Sequence, residues 1–290
     1  MGFVKISAQR GHDGDVEPVE ELLTRHVLLP LAWEATIMAA KFLRDERPHD
    51  LIVESKSTAV DAVTEMDRGA EDRLVEVLLG ARPTDGFLGE EGGERFGTSG
   101  VRWVVDPLDG TVNYLYGIPM WAVSVAAEVE GESVIGIVIV PEFNEAYVAI
   151  KGGGSWLIRH ALSEPSWAEQ LHVRECRDLT TALTATGFGY SGERRKEQAQ
   201  VILAIANQVR DFRRMGCATV DFCWLARGRL DAYYEHGLQR WDVAAGYLIA
   251  REAGAIVTGL WAESPHEEIM VAAVPQIAIA LRASLREAQN

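Results

Sequence analysis

Apolar residues recur at helical spacing in two stretches of the N-terminal part of the chain. From about Val19 to Arg44 the pattern predicts a helix, kinked or divided at Pro30 because proline cannot continue the backbone hydrogen-bond ladder. A second helix is predicted from about Thr64 to Leu79, where Thr64 and Asp67 have the spacing of a capping pair. Residues 1–16 are polar and predict a flexible lead.

Strand patterns follow these helices. A short buried strand is predicted at Trp103–Val105, followed by a meander of three strands at about Trp121–Val129, Val134–Val140 and Ala146–Ile150. The later part of the chain alternates helices and strands. The predicted helices are Glu197–Phe212, Ala218–Arg227 and Val243–Ala253, and the predicted strands are Leu230–Tyr234 and Ala255–Thr258.

Gly152-Gly153-Gly154 separates the two patterns and predicts a seam between two structural halves. The N-terminal half would cover residues 17–151 and the C-terminal half residues 152–290. No internal repeat or long linker lies between them. We therefore expect one compact α+β unit made of two closely packed halves.

Composition limits the possible partners. The 290 residues are 48% hydrophobic and 24% charged, and the formal net charge is -15. A surface this acidic repels nucleic acids and anionic membranes, so neither is an expected partner. No stretch approaches the ~18 apolar residues of a membrane helix, and the polar N-terminus lacks a signal-peptide core, so we expect a cytoplasmic protein. The three cysteines contain no CxxC pair and predict no disulfide framework.

Three acidic clusters lie where predicted elements begin or end. They are Glu90-Glu91 between glycines in a loop, Asp106 with Asp109 after an apolar strand, and Asp242 at the start of an apolar helix. Taken singly, an acidic pair in a loop is most often a turn or solvated surface, and an aspartate at a helix start is most often a cap. Their order and their neighbours together favour a shared role in binding cations.

The second cluster, DPLDGT, has the composition of a combined metal and phosphate site. Its proline stiffens the loop, so Asp106 and Asp109 can converge while the carbonyl of Leu108 becomes available as a neutral ligand. Hard cations such as Mg²⁺ prefer such carboxylate and carbonyl oxygens. Gly110 and Thr111 could present backbone amides to a phosphate. The cluster therefore predicts metal-assisted phosphoryl chemistry.

Longer segments around these clusters carry a family resemblance. They are GEEGG before WVVDPLDGTVNY, the later run DAYYEHGLQRWDVAAGYLIAREAGA, and an upstream segment that begins at Lys56-Ser57 and continues from Asp61 to Asp67. Over roughly residues 20–260 they resemble the signatures of the inositol monophosphatase family. The resemblance implies an α+β fold, the layered α-β-α-β-α sugar-phosphatase sandwich, with a mostly antiparallel N-terminal sheet and a second, mixed sheet. It also implies a homodimer.

The resemblance further implies how the acidic clusters would bind metal. Glu90, Asp106 and the Leu108 carbonyl would hold one Mg²⁺. A second would be held by Asp106, Asp109 and Asp242, with Asp106 bridging the two ions. Glu90 would also contact a third, weakly held ion, so two to three Mg²⁺ ions are expected in each active site.

The same resemblance implies a phosphoric monoester hydrolase that uses a directly attacking water. Thr111 and Glu90 would orient this water, with Asp67 supporting Thr111 from behind. The amides of Gly110 and Thr111 would bind phosphate oxygens. Lithium sensitivity is expected by analogy with the family.

The expected substrate is myo-inositol monophosphate or a similar polyol or sugar phosphate. Glu235 aligns with the family glutamate that contacts inositol hydroxyls. Gly216-Cys217-Ala218 aligns with a family Gly-(Thr/Ser)-Ala segment near the substrate ring. Cys217 is a departure, because it replaces a hydroxyl with a weakly hydrogen-bonding thiol. It leaves the hydrolysis prediction intact and the fine substrate specificity open.

Two alternative functions stay open from the sequence. One is a phosphatase of the same family that acts on histidinol phosphate, fructose bisphosphate or a nucleotide 3′-phosphate. A doubly charged substrate would need extra basic residues, which Arg194, Arg195 and Lys196 could supply, although a solvated helix start is the simpler interpretation of that run. The other is a non-catalytic regulatory protein, which the complete set of expected carboxylates disfavours.

Overall fold

A computed structural model of the chain describes residues 15–50, 53–55, 62–263 and 268–289, and it contains helices and two main sheets. Within these ranges the helices are α1 (Val19–Thr24), α2 (Leu29–Asp45), α3 (Glu65–Ala81), α4 (Thr111–Leu115), α5 (Gly192–Ile205), α6 (Ala218–Ala226), α7 (Arg240–Glu252) and α8 (Ala278–Ala288). The division at Pro30 is confirmed, because α2 starts with Pro30 in its first turn. Thr64 caps α3 reciprocally with Asp67, as the sequence predicts.

The strands of the first part of the chain build one large sheet and a small ribbon. They are β1 (Val16–Pro18), β2 (Val53–Ser55), β3 (Ala62–Thr64), β4 (Gly86–Gly89), β5 (Gly93–Arg95), β6 (Val101–Asp109), β7 (Ala122–Val129), β8 (Glu132–Val140), β9 (Glu145–Ile150), β10 (Gly154–Arg159) and β11 (Trp167–Gln170). The nine-stranded sheet has the order β1-β11-β10-β9-β8-β7-β6-β4-β5 and is antiparallel except where β4 pairs with β6. β2 and β3 pair separately.

A second sheet of five strands follows. Its strands are β12 (Leu183–Thr186), β13 (Asp211–Arg213), β14 (Ala232–His236), β15 (Ile256–Gly259) and β16 (Ile269–Ala273), in the order β13-β12-β14-β16-β15. β12 is parallel to both neighbours, whereas β16 is antiparallel to both of its own. The predicted α+β sandwich, with a mostly antiparallel first sheet and a mixed second one, is confirmed.

Side chains of the central strands alternate between the two faces of the large sheet, and this explains why helices cover both faces. On β7, Val123 and Val125 are buried with α2 and α3, whereas Ala122 and Ala126 are buried with α6 and α7. Successive side chains of a strand point to opposite faces, so an apolar run covered on both faces is a strand between two helical layers. The α6–α7 layer lies between the sheets, and α5 and α8 pack together, with α8 against β16 of the second sheet.

Several sequence predictions need correction in the second part of the chain. The boundary between the sheets lies after Gln170, not near residue 152, because Gly152-Gly153-Gly154 forms a tight turn and β10 pairs with β9 directly after it. The helix predicted at Glu197–Phe212 starts earlier, at Gly192, and ends at Ile205. Asp211–Arg213 is instead strand β13, because its backbone pairs with β12.

Helix α7 is fastened to the large sheet along its length. At its start, the guanidinium of Arg240 pairs with the buried carboxylate of Glu128 on β7. Near its middle, Ala245 lies so close to Gly136 on β8 that a Cβ on the glycine would come within 2.9 Å of the Ala245 Cα. At its end, Glu252 accepts hydrogen bonds from the amides of Gly152 (2.8 Å) and Gly154 (3.0 Å). These contacts determine where the first turn of α7 lies.

The close approach at Gly136 gives a stability prediction. Gly136→Ala forces α7 away from the sheet and should lower the free energy of unfolding by about 1–3 kcal/mol, the usual cost of overpacking. Gly80→Ala is the matched control, because nothing lies within 4 Å of a Cβ at that helical position. It should leave the free energy unchanged or raise it. Urea unfolding followed by circular dichroism measures both, and a Gly136→Ala protein of unchanged stability would contradict the packing.

Candidate active site

One cavity of about 500 Å³ contains most of the residues singled out in the sequence. Its lining includes Glu90, Asp106, Leu108, Asp109, Gly110, Thr111, Gly216, Cys217, Ala218, Glu235 and Asp242. Asp67 does not line it and lies behind Thr111. Lys56, Ser57 and Asp61 fall outside the described residues. The cavity therefore joins the end of β6 to segments that are more than a hundred residues away in sequence.

The DPLDGT segment forms an irregular end to β6. The pairing of β6 with β7 shifts between Asp106 and Asp109, and the Leu108 amide donates to Asp106 Oδ1 at 3.0 Å. Gly110 has a left-handed backbone (φ 90°), and a Cβ there would lie 2.8 Å from the Met120 carbonyl oxygen. Only glycine fits this turn without strain. The turn places Thr111 at the start of α4, in the lining of the same cavity as both aspartates.

Thr111 is held from behind by the capping pair of α3. Its hydroxyl lies 2.9 Å from Asp67 Oδ1 and 3.0 Å from the Leu108 carbonyl oxygen. The other oxygen of Asp67 accepts from the Thr64 amide at 2.8 Å and the Thr64 hydroxyl at 2.5 Å. Burial raises the pKa of Asp67, and the hydrogen bonds from Thr64 and Thr111 oppose this rise. The cap of one helix thus orients the hydroxyl at the start of another.

The loop that carries Glu90 is held by a buried carboxylate on α3. Glu71 accepts from the amides of Glu91 (3.0 Å) and Gly92 (2.5 Å). A Cβ on Gly89 would overlap the same carboxylate. The glycines on both sides of the acidic pair are therefore required by this contact, which draws the loop against the helix.

Four carboxylates crowd one region of the cavity. Burial raises the pKa of Asp106 well above its ordinary value, and repulsion from Glu90, Asp109 and Asp242 adds to the rise. Burial likewise raises the pKa of Asp242, with repulsion from Asp109 as the next cause. Like charges this close and this buried require a compensating positive charge or protons.

Hydrogen bonds orient these carboxylates individually. The Gln239 amide donates to Asp242 Oδ2 at 2.6 Å, while the amide and the hydroxyl of Thr219 both donate to Asp109 Oδ2 at 2.7 Å. Among the described residues, no three Asp, Glu, His or Cys side chains already surround a single point as a finished metal site. The donor set nonetheless fits a hard cation, because it consists of carboxylate and carbonyl oxygens.

Glu235 lies at the end of β14 on another side of the cavity. The Tyr233 hydroxyl donates to Glu235 Oε2 at 2.7 Å. A Cβ on Gly187 would overlap the Glu235 carboxylate, so that wall of the cavity is backbone. Burial raises the pKa of Glu235 to about 7. Its carboxylate lines the cavity beside Gly187 and Tyr233.

A model of the inositol monophosphatase family matches residues 25–289 of the chain. The chain belongs to the inositol monophosphatase family. It is accordingly a phosphatase, a phosphoric monoester hydrolase. Members of this family are generally metal-dependent.

Curated and structural relatives agree with this membership. The inositol-1-monophosphatase of Mycobacterium leprae is 45% identical over 241 residues, 81% of each chain. The Nus factor SuhB of Pasteurella multocida is 37% identical over 80% of this chain and 85% of its own. The crystal structure of extragenic suppressor protein suhB from Bartonella henselae has a TM-score of 0.82 at 33% identity, covering 90% of this chain and 99% of that one. In the described residues, no helix is long and apolar enough to cross a membrane.

The structure of this family member shows three supporting residues that the sequence reasoning missed. Glu71 holds the Glu90 loop, Thr219 holds Asp109, and Asn113 donates to the carbonyl oxygens of Met120 (2.6 Å) and Met215 (2.8 Å). Glu71 follows Asp67 by four residues and so shares its helix face, which was a usable signal. The sequence carries no such signal for Thr219, because Thr219 lies 110 positions from Asp109.

The role of Glu71 gives a prediction for this phosphatase. Glu71→Gln presents an NH₂ group to the Glu91 and Gly92 amides, so the loop loses at least one hydrogen bond. Phosphatase kcat/KM should fall by about 10- to 100-fold, the loss expected if this loop carries a metal ligand. The control is Asp72→Asn, an exposed neighbour on the same helix. Equal activities of the two variants would contradict a positioning role for Glu71.

Proposed function

We propose that this phosphatase hydrolyses myo-inositol monophosphate or a similar polyol or sugar phosphate in a Mg²⁺-dependent reaction. The observation that carries the proposal is the single cavity in which Glu90, Asp106, Asp109 and Asp242 meet beside the Thr111 hydroxyl. Glu90, Asp106 and the Leu108 carbonyl would hold one ion. The second would be shared by Asp106, Asp109 and Asp242, and a third would contact Glu90 weakly.

The proposed mechanism assigns the remaining work to residues of the chain. Bound Mg²⁺ would neutralise the phosphate and make the attacking water more acidic. When the Thr111 hydroxyl donates to Asp67, its lone pairs are left to accept a hydrogen bond from this water, and Glu90 offers a second acceptor. The amides of Gly110 and Thr111 would hold the phosphate oxygens in line. Positioning and charge stabilisation of this kind supply most of the rate enhancement in phosphoryl transfer.

Asp106→Asn tests the shared carboxylate. Turnover at saturating Mg²⁺ should fall below about a tenth of the unsubstituted value, because an amide is a poor bridge between cations. The metal-free variant should unfold at a higher temperature than the metal-free unsubstituted protein, since one of four repelling charges is gone. Phosphate release and a thermal melt in EDTA measure the two effects.

Asp85→Asn serves as the control for Asp106→Asn. Asp85 is equally buried, at 1% exposure, but lies outside the cavity and accepts from Arg82 and from the Trp103 indole. Its substitution should lower stability while Mg²⁺-dependent turnover persists. An active Asp106→Asn enzyme would refute the bridging role.

Glu235→Ala tests the substrate side of the cavity. If Glu235 accepts hydrogen bonds from polyol hydroxyls, kcat/KM for inositol monophosphate should fall by about ten- to a hundredfold. The loss should be much smaller for p-nitrophenyl phosphate, which shares only the phosphate and metal contacts. Equal losses on both substrates would instead indicate a role in folding or in supporting the metal site.

A doubly anionic substrate is the second candidate, favoured by two arginines of the cavity. Arg194 lines the cavity and lies against Gly189 and Gly237, while Arg214 lines it on another side, near Glu235. The neighbours of Arg194 behave differently. Arg195 donates to the Gly189 carbonyl at 2.8 Å, and Lys196 is exposed outside the lining. Arg194 is thus the residue of the basic run that lines the cavity.

Arg194→Gln, compared with Lys196→Gln, separates the two candidates. Each variant removes one positive charge from α5. Arg194 lines the cavity, whereas Lys196 does not. If a second anionic group binds here, Arg194→Gln should lower kcat/KM for fructose 1,6-bisphosphate and spare inositol monophosphate, whereas Lys196→Gln should spare both. A panel that includes histidinol phosphate and a nucleotide 3′-phosphate completes the assay. If Arg194→Gln causes no selective loss, the monophosphate remains the preferred substrate class.

A purely regulatory role receives less support. One relative bears the name Nus factor SuhB, and that name applies to that protein. Here the full set of carboxylates lines the cavity, which supports catalysis. The homodimer, the lithium sensitivity and the cytoplasmic location stay predictions.

A further inference from the structure

Asp109 is anchored by a segment from the other half of the chain. Three donors converge on its Oδ2 atom, namely the Thr219 amide at 2.7 Å, the Thr219 hydroxyl at 2.7 Å and the Cys217 thiol at 3.1 Å. Cys217 precedes α6 and Thr219 lies in its first turn, so Asp109 accepts hydrogen bonds at the N-terminal end of a helix that lies far from it in sequence.

Thr219 cannot act by touching a substrate. It is fully buried and is not part of the cavity lining, whereas Asp109 does line the cavity. Any influence of its hydroxyl on the reaction must therefore pass through its neighbours in the lining, which are Asp109 Oδ2 at 2.7 Å and, as a weaker partner, the Cys217 sulfur at 3.6 Å. Of the two side chains that donate to Oδ2, its hydroxyl is the stronger donor, because a thiol hydrogen-bonds weakly.

The structure gives Cys217 a contact that its place in the sequence does not predict. The family resemblance implied a place near the substrate ring for this residue. In the structure its sulfur faces the side chain and, at 3.5 Å, the backbone carbonyl of Asp109. The thiol at residue 217 is thus a weak donor to Asp109, and the Thr219 hydroxyl donates to the same carboxylate oxygen.

We propose that Thr219 is a positioning residue for Asp109, because its hydroxyl supplies the strong side-chain donor that the Cys217 thiol does not. The inference rests on the proposed function, because it assumes that Asp109 binds a cation there. A carboxylate whose one oxygen is fixed by two strong donors presents its other oxygen in a defined direction. Groups of this kind typically change metal affinity by about 10- to 100-fold when removed.

Thr219→Val removes the hydroxyl and keeps the shape of the side chain. Thr184→Val is the matched control, because Thr184 is also fully buried in the second half and its hydroxyl has no hydrogen-bond partner among the described residues. The primary readout is the Kd for Mn²⁺, measured by electron paramagnetic resonance on the protein without substrate. The Mg²⁺ concentration that gives half-maximal phosphatase activity is the second readout.

Thr219→Val should weaken Mn²⁺ binding by about 10- to 100-fold and raise the Mg²⁺ requirement in parallel, whereas Thr184→Val should leave both unchanged. Adding Cys217→Thr to Thr219→Val should restore much of the affinity, because a hydroxyl again reaches Asp109. If Thr219→Val does not fold, Thr219→Ser and Thr219→Ala isolate the hydroxyl, and only the serine variant should bind Mn²⁺ normally.

Unchanged Mn²⁺ affinity in Thr219→Val, or in Thr219→Ala where Val does not fold, would overturn the positioning role. A lack of rescue by Cys217→Thr would overturn the claim that a side-chain hydroxyl on Asp109 is what Thr219 contributes. An unsubstituted protein that binds no Mn²⁺ and needs no divalent cation would contradict the proposed function itself, and this outcome is distinct from the other two.

Discussion

The packing of α7 against the large sheet is the contact on which the site depends. Asp106 belongs to β6, whereas Asp242 lies in the first turn of α7, and only the seating of α7 brings them to one cavity. The absence of a side chain at Gly136 permits the approach of Ala245, and the Glu128–Arg240 pair fixes the end of the helix nearest to Asp242. A small residue in a strand therefore controls the distance between two carboxylates that it does not touch.

Electrostatic repulsion opposes the packing of α7 in this position. Four carboxylates are brought together in a buried region, where burial and mutual repulsion raise the pKa of Asp106 and Asp242. In the absence of a cation, the raised pKa values favour protonation of these carboxylates, which relieves part of the repulsion. A bound cation would relieve the same repulsion and would gain binding energy from it.

The parts of the site that sequence could predict are those encoded by neighbouring residues. The Thr64–Asp67 cap and the division at Pro30 depend on spacing within a few residues, and the structure has both of them. The loop predicted over DPLD is instead the irregular end of β6, which continues to Asp109. The supports of the site depend on tertiary packing instead. Glu71 meets residues about 20 positions away, Thr219 meets Asp109 across 110, and β16 pairs with β14 only after an intervening helix. The displaced sheet boundary has the same cause, since glycines mark a turn but do not show which strands pair after it.

The most direct measurement of the central claim is anomalous diffraction from crystals soaked in Mn²⁺. The account predicts anomalous peaks in the cavity, with Asp106 within bonding distance of two ions and Asp242, carried by α7, bound to one of them. A cavity without a peak, or ions held only by residues of the DPLDGT segment and the Glu90 loop with Asp242 turned away, would contradict it.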